Sequence, residues 1–170
     1  DGGTVVLPTD TVYGLAALPS VPGATARLFE LKARSENQPL AVLVCDAAQA
    51  LDLVEITHPD VERWMRDLWP GPLTIVLPRS EAARRLELGS GPSTIGVRCP
   101  GHAFVRELTR AVGPLATTSA NRSGEPTPVD AASAAASLTG KVGLVIDGGP
   151  AGTVASTVVD ATGDRARILR

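Results

Sequence analysis

Five short polar segments carry residue types that could hold a charged small molecule. The first is Pro8-Thr9-Asp10-Thr11-Val12-Tyr13-Gly14-Leu15, where hydroxyls follow a short apolar run and Gly14 permits close backbone approach. The second is Lys32-Ala33-Arg34. Residues i and i+2 do not share a helix face, so both cations reach one ligand only if a helix ends here, as Ser35, Asn37 and Pro39 predict. Lys supplies a compact charge and Arg a bidentate fork, suited to a polyphosphate or a carboxylate. The same pair also fits a solvated helix C-terminus, where cations are favoured. The third segment, Thr117-Thr118-Ser119-Ala120-Asn121, closes a strand. Open α/β sheets place ligands at such ends, although an ordinary Ser/Asn turn reads the same way. The fourth is Thr94 with Arg98, on one strand face by period 2. An Arg in an apolar strand is costly to bury alone and calls for a partner or an anionic ligand. The fifth is Gly148-Gly149-Pro150-Ala151-Gly152, followed by Ser156-Thr157. It lies between strands rather than before a helix and could form an anion-binding nest.

The elements that must position these segments alternate. Apolar runs at residues 4–7, 40–45, 73–77, 94–98, 115–118, 142–146, 157–159 and 167–169 predict strands. Helices are predicted over residues 24–34, 103–112 and 129–138, with a short one capped by Asp46. Thr57 is the expected N-cap of another, with Pro59 in its first turn and Val61, Trp64, Met65 and Leu68 on its buried face. The alternation argues an α/β (α+β) fold, a twisted open sheet flanked by helices. The hairpin-like stretches between residues 71 and 98 favour a mixed sheet.

Composition narrows the classes. The 170 residues are 44% hydrophobic and 20% charged, which excludes a disordered chain and suits one domain. Aromatics are 3%, so aliphatic residues must build the core. A net charge of −2 excludes the protein-wide basic footprint of a general nucleic-acid binder. No apolar run reaches a membrane span, and no leader is visible. Cys45 and Cys99 form no CxxC pair, so neither a disulfide framework nor a metal site is expected and a cytoplasmic setting is the default. P-loop, GxGxxG and GxSxG signatures are absent. His58 and His102 lack metal-ligand spacing and read as capping or surface residues.

Taken in order, PTDTVYGL (8–15), KAR (32–34), PLAVLV (39–44), WPGPLTIVL (69–77), TIGVRCP (94–100), TTSANRSGEP (117–126) and STVVD (156–160) resemble the TsaC/YrdC family of threonylcarbamoyl-adenylate synthases across nearly the whole chain. The resemblance implies a sheet around a large, locally basic cavity. It implies synthesis of L-threonylcarbamoyl-AMP from L-threonine, bicarbonate and ATP, with release of pyrophosphate. The product feeds t6A modification of tRNAs reading ANN codons. By motif position, Thr11, Tyr13, Arg98, Thr117 and Ser156 would hold threonine. Lys32, Arg34, Thr94, Ser119, Asn121, Thr127 and Arg170 would hold ATP, with Lys32, Arg34, Ser119 and Asn121 closest to the chemistry. The resemblance further implies a nucleotide-borne Mg2+, a downstream tRNA threonylcarbamoyl-transfer machinery and weak tRNA contact.

This sequence departs from the family in two places. Ser35 stands where a Pro usually follows KxR, and Gln38 where Lys or His precedes the next Pro-Leu. Residues 1–170 are expected to be one YrdC-like domain of the short form, lacking a few residues at one or both ends. Two alternatives remain open at this level. One is a carbamoyl-adenylate-forming domain acting on carbamoyl phosphate; the other is a non-catalytic RNA-binding module.

Overall fold

The computed structural model describes residues 3–170; Asp1 and Gly2, which bear on the expected start inside the domain, lie outside the described residues. The strands are β1 (Val5–Leu7), β2 (Gly14–Ala17), β3 (Ala41–Leu43), β4 (Leu73–Pro78), β5 (Thr94–Arg98), β6 (Leu115–Ser119), β7 (Leu144–Val145), β8 (Thr157–Asp160) and β9 (Arg167–Ile168). They form one sheet in the order β7-β1-β2-β6-β3-β5-β4-β8-β9. The pairs β1–β7, β3–β5 and β4–β8 are parallel and the others antiparallel, so the sheet is mixed.

The helices are α1 (Ala26–Lys32), α2 (Ala47–Leu51), α3 (Val61–Leu68), α4 (Ala103–Val112) and α5 (Ala131–Ala136). Two termini have a clear local cause. α1 stops because Ala33 takes a left-handed conformation (φ 50°), with its N–H returned to Glu30 O and that of Arg34 to Phe29 O. Asp46 caps α2 as expected, accepting from Gln49 N–H at 2.9 Å. Thr57 does not cap α3. Asp60 precedes that helix without a side-chain cap bond, and Thr57 Oγ1 donates to Ala161 O at 2.9 Å, tying the loop to the end of β8. Leu68 is also not buried. Val61 and Met65 face inward, but the apolar position past the helix end belongs to Trp69, whose Nε1 donates to Leu73 O at 2.7 Å.

Period-2 alternation sorts the sheet into two faces. One carries Val6, Leu15, Val42, Ile75, Leu77, Ile95 and Val97 into the main core, with Leu28 and Leu31 of α1, Val61 and Met65 of α3, and Ala131 and Ala134 of α5. Each fully buried Val, Leu, Ile or Met among them contributes about 1.5–3 kcal/mol. The other face is covered at one end only, where Leu7, Ala16, Leu43 and Leu115 pack on Val105 of α4. β2 carries no strand signal in the sequence: Gly-Leu-Ala-Ala has no β-branched residue, and its pairing with β1 and β6 supplies what propensity does not. Among the described residues, no helix is long and apolar enough to cross a membrane.

Candidate functional site

Beyond the reach of α4 the side chains on that second face become small. Thr117, Ala41, Gly96 and Val76 lie side by side across β6, β3, β5 and β4. Above them opens a hollow of about 410 Å3, a size suited to small-molecule sites. β5 shows the alternation that makes it: Thr94, Gly96 and Arg98 line the hollow, while Ile95 and Val97 point into the core. Gly96 cannot be larger at no cost, because a Cβ there would lie 3.3 Å from Thr74 Cγ2.

Three guanidiniums converge on this space. Arg98, at the end of β5, is buried and donates to Asp10 Oδ1 at 2.5 Å, Thr11 Oγ1 at 2.9 Å and Gly71 O at 3.1 Å. Arg34 is turned toward the hollow by the left-handed Ala33; its Nη1 donates to Thr118 Oγ1 at 3.2 Å and its other nitrogens to Gln38 O and Pro39 O. Arg170 reaches in beside β8, with Nε donating to Ser156 O at 3.1 Å. Burial, and then the charge of Arg170, pull Arg34 below its ordinary pKa. Burial does the same to Arg98, with Asp10 pulling the other way and Arg170 adding to the depression. Arginine stays charged regardless, so mutual repulsion in a part-dry space favours an incoming anion. No Asp or Glu among the described residues lines the hollow. Its lining therefore lacks the carboxylates on which a dedicated divalent-cation site is built.

Hydroxyls complete the wall. Thr11, Thr94, Thr117, Ser119 and Ser156 line it, with Thr74 Oγ1 and Ser156 Oγ 2.9 Å apart. Eight of the residues singled out from the sequence thus lie together: Thr11, Arg34, Thr94, Arg98, Thr117, Ser119, Ser156 and Arg170.

Four others do not line it. Lys32 is 2% exposed, and its Nζ donates to Ser119 O and Asn121 O, each at 2.5 Å, and to Asn121 Oδ1 at 3.1 Å. Those bonds use all three ammonium protons. Burial, and then the charge of Arg34, lower its pKa to about 8. Asn121 is spent likewise, its Nδ2 donating to Arg122 O and Glu125 O. The pair braces the end of β6 from behind. Tyr13 is fully buried, its hydroxyl donating to Gly149 O at 2.7 Å and accepting from Gly148 N–H at 3.1 Å. It anchors the loop before Ser156. Thr127 lies apart from the hollow on the segment leading to α5.

The glycine-rich segment is not an anion nest. The Gly148, Gly149 and Ala151 amides donate to Tyr13 Oη, Asp147 Oδ1 and Val129 O. His58 is buried, accepting from Asp60 N–H and stacking on Trp64, and His102 packs edge-on against Phe104. Two features of the site stand outside the residues expected from the sequence: Thr74, and the pairing of Asp10 with Arg98. Thr74, like Arg98, carries a sequence signal as a polar residue in an apolar strand.

The family model described as Sua5/YciO/YrdC, telomere recombination, matches residues 1–170. A relative from Mycobacterium tuberculosis is 39% identical over 170 residues, which is 99% of this chain and 78% of its own. The threonylcarbamoyl-AMP synthase of Bacillus subtilis is 37% identical over 168 residues, 98% of this chain and 49% of its own. This chain thus spans about half the length of the Bacillus subtilis relative. The crystal structure of Pyrococcus abyssi Sua5 complexed with L-threonine matches with a TM-score of 0.91 at 39% identity, over 99% of this chain and 50% of that one. Motif order, sheet and hollow therefore have one explanation: the chain belongs to the Sua5/YciO/YrdC family.

Proposed function

We propose that residues 1–170 act as one YrdC-like domain that makes L-threonylcarbamoyl-AMP, taking in L-threonine, bicarbonate and ATP and releasing pyrophosphate and water. The observation that carries this reading is the convergence of Arg34, Arg98 and Arg170 on a hollow without a lining carboxylate. The name of the Bacillus subtilis relative and the threonine held by Pyrococcus abyssi Sua5 support it.

The threonine amine takes up the bicarbonate carbon, loses water and becomes a carbamate anion. A carbamate oxygen then attacks the α-phosphorus of ATP, and the bond to pyrophosphate breaks. The carbamate and ATP are both anionic, so their approach in water is opposed by charge. Arg98, with Thr11, Thr117 and Ser156, faces the amino acid. Arg34 and Arg170, with Thr94 and Ser119, face the phosphates. Fixed guanidiniums aimed at developing charge in a part-dry space lower the barrier without reorganising, and holding the reactants in line supplies several kcal/mol more. Lys32 and Asn121 act one layer back, holding the β6 end from which Ser119 projects. Mg2+ would be held by the nucleotide phosphates rather than by a lining carboxylate, and would add to the neutralisation of their charge. No side chain is needed as a nucleophile. The setting is cytoplasmic, and the product passes to an enzyme that transfers the threonylcarbamoyl group to tRNA.

The test is mass spectrometry of the purified chain with ATP, L-threonine, bicarbonate and Mg2+. The expected result is threonylcarbamoyl-AMP with equimolar pyrophosphate, dependent on threonine. An adenylate formed only when carbamoyl phosphate replaces threonine and bicarbonate would overturn the reading.

A further inference from the structure

Outside the hollow, one arginine is sunk into the protein without a carboxylate partner. Arg79, just after β4, is 6% exposed. Its Nη1 donates to Pro92 O at 3.2 Å, and its Nη2 donates to Leu86 O at 2.6 Å and to Ala83 O. Its Nε has no partner, and no ion pair to it occurs among the described residues. Burial lowers its pKa, yet a guanidinium stays charged. A buried charge without a countercharge is a costly way to close a loop. What it gains is geometry: one rigid fork fixes three carbonyls along residues 79–93.

The far edge of that loop is stitched to residues 36–40. Leu40 N–H donates to Leu88 O at 3.0 Å and Ser90 N–H to Glu36 O at 3.0 Å. Gly89, at φ +116°, approaches so closely that a Cβ there would lie 2.5 Å from Glu36 O. Residues 36–40 in turn hold Arg34, whose Nε donates to Gln38 O at 3.1 Å and Nη2 to Pro39 O at 3.2 Å. With those nitrogens fixed, Nη1 is left on the wall of the hollow, against Thr118 Oγ1.

We propose that Arg79 is a positioning residue for Arg34: by bridging Ala83, Leu86 and Pro92 it sets the 86–90 edge that aligns residues 36–40, and through them the Arg34 guanidinium, toward an anionic substrate. The consequence for turnover rests on the function proposed above; the alignment of Arg34 does not.

Two measurements test it. The first is the Nε–Hε resonance of Arg34 in ligand-free protein. In folded Arg79→Gln its exchange with water speeds several-fold, and Arg79→Lys recovers part of the protection. The second is turnover: Arg79→Gln raises the KM for ATP roughly tenfold, the range of one hydrogen bond to a charge, with the KM for threonine within about twofold. In an Arg34→Ala background the same change adds nothing, because coupled residues are not additive. An Arg34 Hε signal unchanged in folded Arg79→Gln overturns the proposal. So does an ATP effect of equal size with and without Arg34. Where Arg79→Gln does not fold, Gly89→Ala disturbs the same seam from the other side with Arg79 intact, and an unchanged Arg34 signal there overturns it too. A wild-type protein without turnover sinks the proposed function instead, and the resonance still decides the role of Arg79.

Discussion

Lys32 shows how far residue type alone can carry an argument. Two cations at i and i+2 read as a pair gripping one anion, and the physics of that reading is sound. The fold separates them: left-handed Ala33 turns Arg34 toward the hollow, while Lys32 stays on the core side of α1 and is used up on Ser119 and Asn121. Nothing in residues 32–34 announces that Ala33 will adopt a conformation usually left to glycine. The burial of Lys32 has a thermodynamic signature. Its folded pKa of about 8 lies below the ordinary 10.5, so between those values the unfolded chain binds more protons than the folded one. Stability from this group therefore rises with pH across that window and is lowest below it. Urea unfolding of wild type and Lys32→Met at several pH values reads the effect. At pH 7 the variant is the less stable, because three acceptors lose their donor. The wild-type advantage then widens by about 3 kcal/mol toward pH 10.5. An advantage that stays flat or shrinks over that range would show that Lys32 is not held as a buried ammonium.

The strands were legible where at least one face is built of buried aliphatic residues. Residues 40–45 announce β3 as a near-continuous apolar run, whereas 73–77 and 94–98 announce β4 and β5 by the apolar face that enters the core, Ile75 with Leu77 and Ile95 with Val97. β2 was not, since its four residues gain their conformation from two neighbouring strands rather than from themselves. The hollow is likewise a property of strands rather than of motifs. It exists because four adjacent strands present Thr117, Ala41, Gly96 and Val76 at one level, and no local signal says that these residues become neighbours. Gly96 is the sharpest test. Valine suits a strand better than glycine, and Ile95 and Val97 on the opposite face are untouched by the change. Gly96→Val is expected to keep the fold, with Thr74 shifting a few tenths of an ångström, and to raise the KM for ATP or threonine at least about tenfold by filling the floor. Circular dichroism and steady-state kinetics on one preparation check both halves. Wild-type kinetics in a folded variant would place the substrates elsewhere.

At the scale of the molecule, charge and site point in opposite directions. The chain carries a net charge of −2, so nothing global draws in a nucleotide; the attraction must come from three guanidiniums confined to one hollow. Such a local field survives solvent because its sources are part-buried, whereas surface charges are screened within about 8 Å at physiological salt. If the hollow binds ATP through its phosphates, folding and binding are linked. Ligand at 100 times its Kd stabilises the native state by about 2.7 kcal/mol. For a chain of 170 residues each kcal/mol raises Tm by about 2–4 °C, so saturating ATP should lift it by about 5–10 °C. Adenosine at the same concentration keeps the base and ribose but offers the arginines nothing, and should give under a third of that lift. Raising salt should reduce the ATP shift and leave the small adenosine shift alone, because only the first depends on charge. A thermal scan with both ligands at two ionic strengths decides it. Equal shifts from ATP and adenosine would mean that the hollow recognises the base, and that the convergence of Arg34, Arg98 and Arg170 serves some purpose other than gathering phosphates.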